Sequence, residues 1–316
     1  MKILICGVGS VGERHISNLL SLGYEDIILY RTSNKQLRNV KVDLKTFLNL
    51  QDALNEKPDI AFVTNPTSLH IETAITCANA GCHIFIEKPL SMNMKKVKNL
   101  KEIVDKKNLI CMTGFMYRYH PLIKIMKEIV DDKRYGNLVF VKSSWGEYLP
   151  DWHPWEDYKS SYAANDNLGG GPTSTLSHDL DLCIWLVNSK VVKSTNFGNY
   201  NSSLEIKSSH SNDILLKFKN GVTANLHFDF VQKPYQRAFE LVFNKGKVIF
   251  DYYSNKLILN DFEGKIEEIV EDSFERNDMF IAELEDLFDS INNNKTSPIS
   301  IVESIKSLKI ISKNEH

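Results

Sequence analysis

Cysteine is scarce: five residues in 316, odd in number and set mostly in apolar runs (Cys6, Cys77, Cys82, Cys111, Cys183). That is too few and too scattered for a disulfide framework, and no zinc-site spacing appears, so no metal is expected. The thiols read as buried and free, as in a reducing compartment, and the expected location is cytoplasmic. No apolar run is long enough to span a bilayer, and the apolar start runs into a glycine loop as a strand does, unlike a signal peptide. Net charge is low as well, −2 at pH 7, which argues against a nucleic-acid or anionic-membrane partner. Internal repeats, low-complexity tracts and obvious flexible linkers are also missing. What remains is an ordinary soluble composition, 42% hydrophobic and 25% charged, on a chain long enough to favour two domains over one.

The most informative stretch is the first. An apolar run, Ile3-Leu4-Ile5-Cys6, meets Gly7-Val8-Gly9-Ser10-Val11-Gly12. Apolar spacing through Val11, His15, Ile16, Leu19 and Leu20 then predicts a helix, and Ile27-Ile28-Leu29-Tyr30 a second strand. Strand, glycine turn, helix and strand make the first βαβ unit of a dinucleotide-binding sheet. Gly7 permits the tight turn, Gly9 lets backbone N–H groups approach a pyrophosphate, and Gly12 lets the helix lie close to the strand. Ser10 and Val11 open the helix whose N-terminus faces the phosphates. An acid about 20 residues past such a fingerprint takes the ribose hydroxyls of NAD, but here Arg31, Thr32 and Ser33 follow the second strand. This is either a solvated basic turn or a site for a 2′-phosphate. The second is favoured, so the cofactor is NADP or NAD with a lean to NADP.

Alternation continues through strands at Asp59–Thr64, His83–Lys88 and Leu109–Phe115 and helices at His70–Ala80 and Asn93–Lys106. It implies a parallel sheet covered on both faces. Near Pro121 the period changes. Ala224, Leu226, Phe228 and Phe230 alternate with Thr223, Asn225, His227 and Asp229, and Asn220-Gly221 and Asn244-Lys245-Gly246 are hairpin turns. The fold class is α/β: a dinucleotide-binding domain over 1–120, then an α+β domain over 121–316 with a largely antiparallel open sheet. Two closing helices, Glu275–Asn292 and Ser300–Lys313, are expected to pack back on the first domain. One face of the second sheet needs solvent, ligand or a second copy, and a homodimer or homotetramer is expected.

Three stretches carry chemistry. Glu87-Lys88-Pro89 ends a strand of the first domain, where ligands gather in open parallel sheets. Lys88 is either a surface lysine or a group aimed into that crevice. Gly169-Gly170-Gly171-Pro172 opens a helix on which His178 follows within two turns, with Asp181 three residues on and able to meet it. A histidine among Leu176, Leu180 and Ile184 is usually a core group, but the glycines favour an active-site role. Tyr148 to Tyr158 concentrates Trp152, His153, Trp155 and Tyr158 around Pro150 and Pro154. These rings either stack on a sugar or base, or pin a long loop.

The glycine fingerprint, Thr64-Asn65-Pro66-Thr67-Ser68-Leu69-His70, Glu87-Lys88-Pro89, Arg118-Tyr119-His120-Pro121 and the GGG…His segment occur in this order. Together they resemble the glucose–fructose oxidoreductase/inositol dehydrogenase/MocA family over essentially the whole chain. The resemblance implies a Rossmann domain and an open-sheet domain. It also implies an NAD(P)-dependent oxidoreductase moving a hydride between nicotinamide and a hydroxyl or keto carbon of a sugar, cyclitol or sugar nucleotide. Lys88 and His178 would be catalytic, Thr64, Asn65, Pro66, His70 and Glu87 would lie along the cofactor, and Arg118 and Thr175 would join the aromatic loop at the substrate. Many members carry an aspartate one turn before the histidine, where this chain has Ser174 and Thr175, and an asparagine where it has Met116. The first departure leaves proton transfer to Lys88 and His178 alone. Two other readings stand: a redox-assisted epimerase or glycosidase with recycled cofactor, and a nucleotide-binding sensor without turnover.

Overall fold

The computed structural model describes residues 1–32 and 37–312. Apolar runs too short for helices become the strands of a parallel sheet: β1 (Ile3–Cys6), β2 (Ile27–Tyr30), β3 (Thr46–Phe47), β4 (Ile60–Val63), β5 (His83–Glu87) and β6 (Cys111–Gly114). They lie in the order β3-β2-β1-β4-β5-β6. Every residue of β1, β4 and β6 is buried, because helices cover both faces. Leu4, Cys6, Ala61, Val63, Ile84 and Ile86 form one core layer with α3 (His70–Ala80), α4 (Val97–Lys106) and residues of α9 (Ile301–Ile311). On the other face, Phe62 and Phe85 meet His15 of α1 (Ser10–Ser21). Strand order reverses between β1 and β4, and the glycine loop leaves β1 at that switch point.

Sequence and structure differ at the margins. Between β3 and β4 lies α2 (Leu50–Asn55), whose cap residue Asn49 accepts from the Gln51 and Asp52 amides; six residues are too few to carry a periodic signal. Helix α4 starts at Val97 and not at Asn93. The Asn93 side chain accepts the Lys95 amide and Lys96 takes a left-handed backbone, a local turn that competes with helix.

The chain divides into two units, Met1–Phe115 with Phe280–Ser312, and Met116–Met279. The closing helices α8 (Arg276–Asn292) and α9 fall largely in the first: Phe288 stacks on Tyr24 at 4.1 Å, and the Thr113 amide donates to the Ile299 carbonyl. The second unit holds α5 (Pro121–Asp131), α6 (Pro172–Thr175), α7 (His178–Val187) and eight strands. These are β7 (Leu138–Tyr148), β8 (Val191–Asn199), β9 (Ser211–Phe218), β10 (Thr223–Asp229), β11 (Val231–Phe243), β12 (Gly246–Asp251), β13 (Lys256–Asp261) and β14 (Ile266–Val270). Their order is β14-β13-β12-β11-β7-β10-β9-β8, antiparallel throughout except that β7 and β10 run parallel. That pair is invisible to period-two reasoning, which reads faces and not strand direction. Helices α5 and α7 cover one face, on which Ala224, Leu226, Phe228 and Phe230 are buried. All five cysteines are buried free thiols, and no described helix is long and apolar enough to cross a membrane.

The other face carries a charge relay across two strands. His227 Nδ1 lies 2.9 Å from Asp213 Oδ1, and Nε2 lies 3.2 Å from Asp229 Oδ2. The hydrogen bond to Asp229, opposed by burial and reinforced by Asp213, pushes the imidazole up to about 9 from 6.5. A folded value above the unfolded one means stabilisation complete below pH 6.5 and lost as pH rises through 9. With the side chain 36% exposed, solvent screening reduces the contribution to roughly 1–2 kcal/mol. His227→Gln should therefore flatten the fall in urea-derived stability between neutral pH and pH 9. Wild-type and mutant curves that stay parallel would show that His227 is not charged in the fold.

Candidate functional site

In the first unit the site begins with a backbone that has no room for side chains. Gly7 has φ +99°, and a Cβ there would lie 2.6 Å from the Asn65 backbone. A Cβ on Gly12 would lie 2.5 Å from the Gly7 carbonyl oxygen, which also accepts from Thr64 Oγ1 at 2.5 Å. The loops after β1 and β4 are thus pressed together. Gly9 is the opposite case: a Cβ there would meet nothing within 4 Å. Open backbone at Gly9, beside the first turn of α1 with Ser10 and Val11, is a cradle for an anion. Asn65 adds a buried Oδ1 with no hydrogen-bond donor among the described residues, while its Nδ2 donates to Thr73. These residues fit a dinucleotide: Ser10 and Val11 open α1 beside the cradle, and Pro66, in the loop after β4, is exposed.

His70 is less exposed than expected for a cofactor contact. Its Nδ1 lies 2.9 Å from the Pro89 carbonyl oxygen and its Nε2 2.9 Å from that of Asn65. Burial holds the imidazole below its ordinary value, and neutral imidazole donates from one nitrogen only. One carbonyl therefore accepts the ring N–H and the other only lies against the second nitrogen, and buried His70 fills the space between the cradle and the turn after β5 as a brace. In that turn the Lys88–Pro89 peptide is cis and Lys88 is half-buried. Glu87 accepts from His15 Nε2 at 2.8 Å and from the Lys88 amide at 3.2 Å. Burial alone would raise this carboxyl, but the His15 bond and charge outweigh it, with help from Lys88, so it is held below the usual range. His15, read from sequence only as part of the apolar stripe of α1, is that stripe's one buried ion-pairing group. On β2's far side, half-buried Arg31 donates its amide to the Phe47 carbonyl and Thr32 is exposed; Ser33 lies outside the described residues.

The second unit departs from the expected GGG…His helix. Helix α6 ends after four residues, and His178 is the first residue of α7. Thr173, Ser174 and Thr175 are poor helix formers whose hydroxyls compete with the backbone, which accounts for the break. Asp181, expected to meet His178, accepts two bonds from Arg118, from Nε at 2.7 Å and Nη2 at 2.6 Å. Arg118, expected at the substrate, is 7% exposed and braces α7. Thr175 is likewise buried.

What surrounds His178 is aromatic. Tyr117 meets its ring edge-on at 4.7 Å and Trp145 lies nearly parallel at 6.2 Å. Neither residue, nor Arg237 and Asp179 behind them, is singled out by sequence; the one available signal was an acid immediately after the histidine. In the aromatic loop the two readings separate by residue. Trp152 packs edge-on against Phe230 at 5.4 Å and pins the loop, whereas Trp155, 64% exposed, tilts over His153 at 5.2 Å. Tyr158 is half-buried at the loop's end.

The cradle geometry generates a test that separates binding from folding. Gly9→Ala should keep the wild-type melting temperature yet weaken NAD(P)H binding at least tenfold, because the added methyl enters only the space a pyrophosphate needs. Gly7→Ala should lose stability as well, by about 1–3 kcal/mol for the strained backbone. Fluorescence titration with reduced cofactor and thermal melts on both variants decide it; unchanged affinity in Gly9→Ala would remove the cradle from the cofactor.

Comparison with known proteins now bears on this arrangement. Residues 1–115 match the model described as oxidoreductase family, NAD-binding Rossmann fold, and residues 123–249 match the GFO/IDH/MocA C-terminal domain. The myo-inositol 2-dehydrogenase of Thermotoga maritima is 28% identical over 279 residues, 84% of this chain and 79% of that protein. The crystal structure of myo-inositol 2-dehydrogenase from Lactobacillus plantarum superposes with a TM-score of 0.82 at 25% identity, covering 98% of this chain and 95% of that one. A levoglucosan dehydrogenase in complex with NADH and levoglucosan gives 0.85 at 15% identity over 98% and 95% of the two chains, a likeness of fold. Both units match in sequence order and in architecture, and the chain belongs to the Gfo/Idh/MocA family of oxidoreductases.

Proposed function

We propose that this protein is a dehydrogenase or reductase acting on a secondary alcohol or ketone of a sugar, cyclitol or sugar nucleotide, with NADP preferred over NAD. The observation that carries the reading is the His70 brace. It packs between Asn65, which walls the glycine cradle, and Pro89, so that Lys88 sits on the same sheet edge as the dinucleotide site this reading requires. The dehydrogenases of inositol and levoglucosan among the relatives support the substrate class.

Bound nicotinamide supplies the redox chemistry, accepting or giving the hydride. The protein manages the oxygen. Lys88 Nζ donates a hydrogen bond to the reacting oxygen and favours its alkoxide character, while a ring nitrogen of His178 takes the hydroxyl proton in oxidation and returns it in reduction. With Ser174 and Thr175 in place of a carboxylate, no further acid takes part. Trp155 offers an exposed ring to stack on the apolar face of a sugar.

Turnover should be sought with myo-inositol, levoglucosan, hexoses and UDP-N-acetylglucosamine in the presence of NADP⁺ or NAD⁺, following reduced nicotinamide by absorbance. On the substrate found, Lys88→Ala should lower kcat while cofactor affinity stays near wild type. His178→Ala should lose about 10²–10⁴ in kcat, the range for a missing acid/base. A His178 that only fills the core would instead lower the melting temperature and leave turnover per folded molecule unchanged. Full activity in Lys88→Ala would overturn the mechanism.

The cofactor preference rests on Arg31 and Thr32 where an acid would favour NAD. A charge-assisted contact to phosphate contributes about 1.5–3 kcal/mol, so NADPH should bind at least tenfold tighter than NADH. Arg31→Asp should reverse the order; equal dissociation constants in titration calorimetry would sink the preference.

A further inference from the structure

Arg237 lies in the wall behind His178 in an arrangement that core packing does not explain. It projects from β11 with 2% exposure. Its guanidinium carbon sits 3.6 Å from the Tyr117 ring centre and 3.8 Å from that of Trp145, a cation in the corner between two rings inclined at 78°, with Tyr252 at 5.0 Å. Its Nε donates to Asp179 Oδ1 at 3.1 Å, and Nη2 donates to the same oxygen. The other carboxylate oxygen, Oδ2, accepts from Ser143 Oγ at 2.6 Å. Asp179 directly follows His178 in the first turn of α7. The rings that clamp the guanidinium are the same two that hold the His178 imidazole, Tyr117 edge-on at 71° and Trp145 at 26°. Trp145 is in turn anchored: its Nε1 donates to Glu147 at 2.8 Å, and Tyr253 donates to the same oxygen at 3.2 Å.

A buried ion pair gives little net stability over well-packed apolar side chains. Orientation is a different matter. One guanidinium here fixes three things that determine where the imidazole points: the carboxylate of the adjacent residue, the ring on its edge and the ring along its face. Arginine suits this place because it combines two N–H donors converging on one Asp179 oxygen with a delocalised cation that two rings can flank. We propose that Arg237 is a positioning residue for His178, locking the imidazole in its working orientation through Tyr117, Trp145 and Asp179. This rests on the reading of His178 as the acid/base, and the test separates the two.

Arg237→Lys keeps the charge but loses the delocalised guanidinium and its converging N–H donors. With the substrate identified by the panel above, it should lower kcat by about 10- to 100-fold, since a misplacement of about 1 Å costs that much, while KM and NADPH affinity stay within about threefold. In a His178→Ala background the same substitution should cost almost nothing further, because there is no ring left to position. A second measurement needs no substrate or cofactor. Carbethoxylation by diethyl pyrocarbonate, read at His178 by peptide mass spectrometry, should run several-fold faster in Arg237→Lys, with His210 of the same unit unchanged as reference. Should Arg237→Lys fail to fold, Ser143→Ala removes only the hydroxyl on Asp179 and should show the same pattern more weakly. An equal loss of kcat in the wild-type and His178→Ala backgrounds overturns the proposal, as does an unchanged carbethoxylation rate at His178. If His178→Ala itself keeps full turnover, the acid/base reading fails, and faster carbethoxylation in Arg237→Lys still upholds the lock.

Discussion

Glu87 ends a strand whose three preceding residues are wholly buried, and its carboxylate cannot remain charged there without a partner. His15 supplies one from the helix that follows the glycine loop. The pair ties the strand that carries Lys88 to the helix whose N-terminus faces the cradle, and the two parts of the first site are held in register by it. The same constraint recurs in the second unit. Asp179 and Asp181 both lie in the first turn of α7 and both are buried; Arg237 neutralises one and Arg118 the other. Removing one member of such a pair leaves a charge in an apolar wall, at a cost of about 3–5 kcal/mol. Each candidate centre therefore sits on a framework of compensated charges, and the framework fixes where the chemistry-bearing side chains start from.

This explains which features were legible in the sequence. The glycine fingerprint, the apolar runs and the change of period near Pro121 are local patterns with local causes, and they carry the α/β class and both sheets. Lys88 and His178 could be singled out because Pro89 and the three glycines mark their backbone settings. Pairs separated by long stretches of chain leave no such mark. Nothing near His15 announces Glu87, nothing near Arg237 announces Asp179, and the parallel pairing of β7 with β10 joins neighbours in the sheet that α6, α7, β8 and β9 separate along the chain. Where sequence offered a nearby partner it was incomplete: Asp181 stands at helical spacing from His178, and Arg118, far away in the chain, binds both of its oxygens. Local spacing shows what can meet, and burial energetics decide what does.

His70 illustrates the same point inside a motif. Its place in the stretch from Thr64 to His70 suggests a ligand contact, but a buried imidazole between two carbonyl oxygens is a structural strut. Motif position marks that a residue matters to a site without saying whether it touches the ligand. The aromatic loop divides in the same way, with Trp152 committed to Phe230 and Trp155 left at the surface.

The break between α6 and α7 has a consequence for how proton transfer can work here. A continuous helix would carry Ser174 or Thr175 one turn behind His178, on the face where a carboxylate would assist it. With the helix interrupted, Thr175 is buried within the short α6 while His178 opens a new helix. Support for the imidazole must then come from α7 itself and from the sheet beneath it. The positive end of the α7 dipole favours carboxylates in its first turn, and Asp179 and Asp181 occupy it. Asp179 passes that support to β7 through Ser143 and to β11 through Arg237. The chain lacks an acid before the histidine and carries one after it, bound into the sheet.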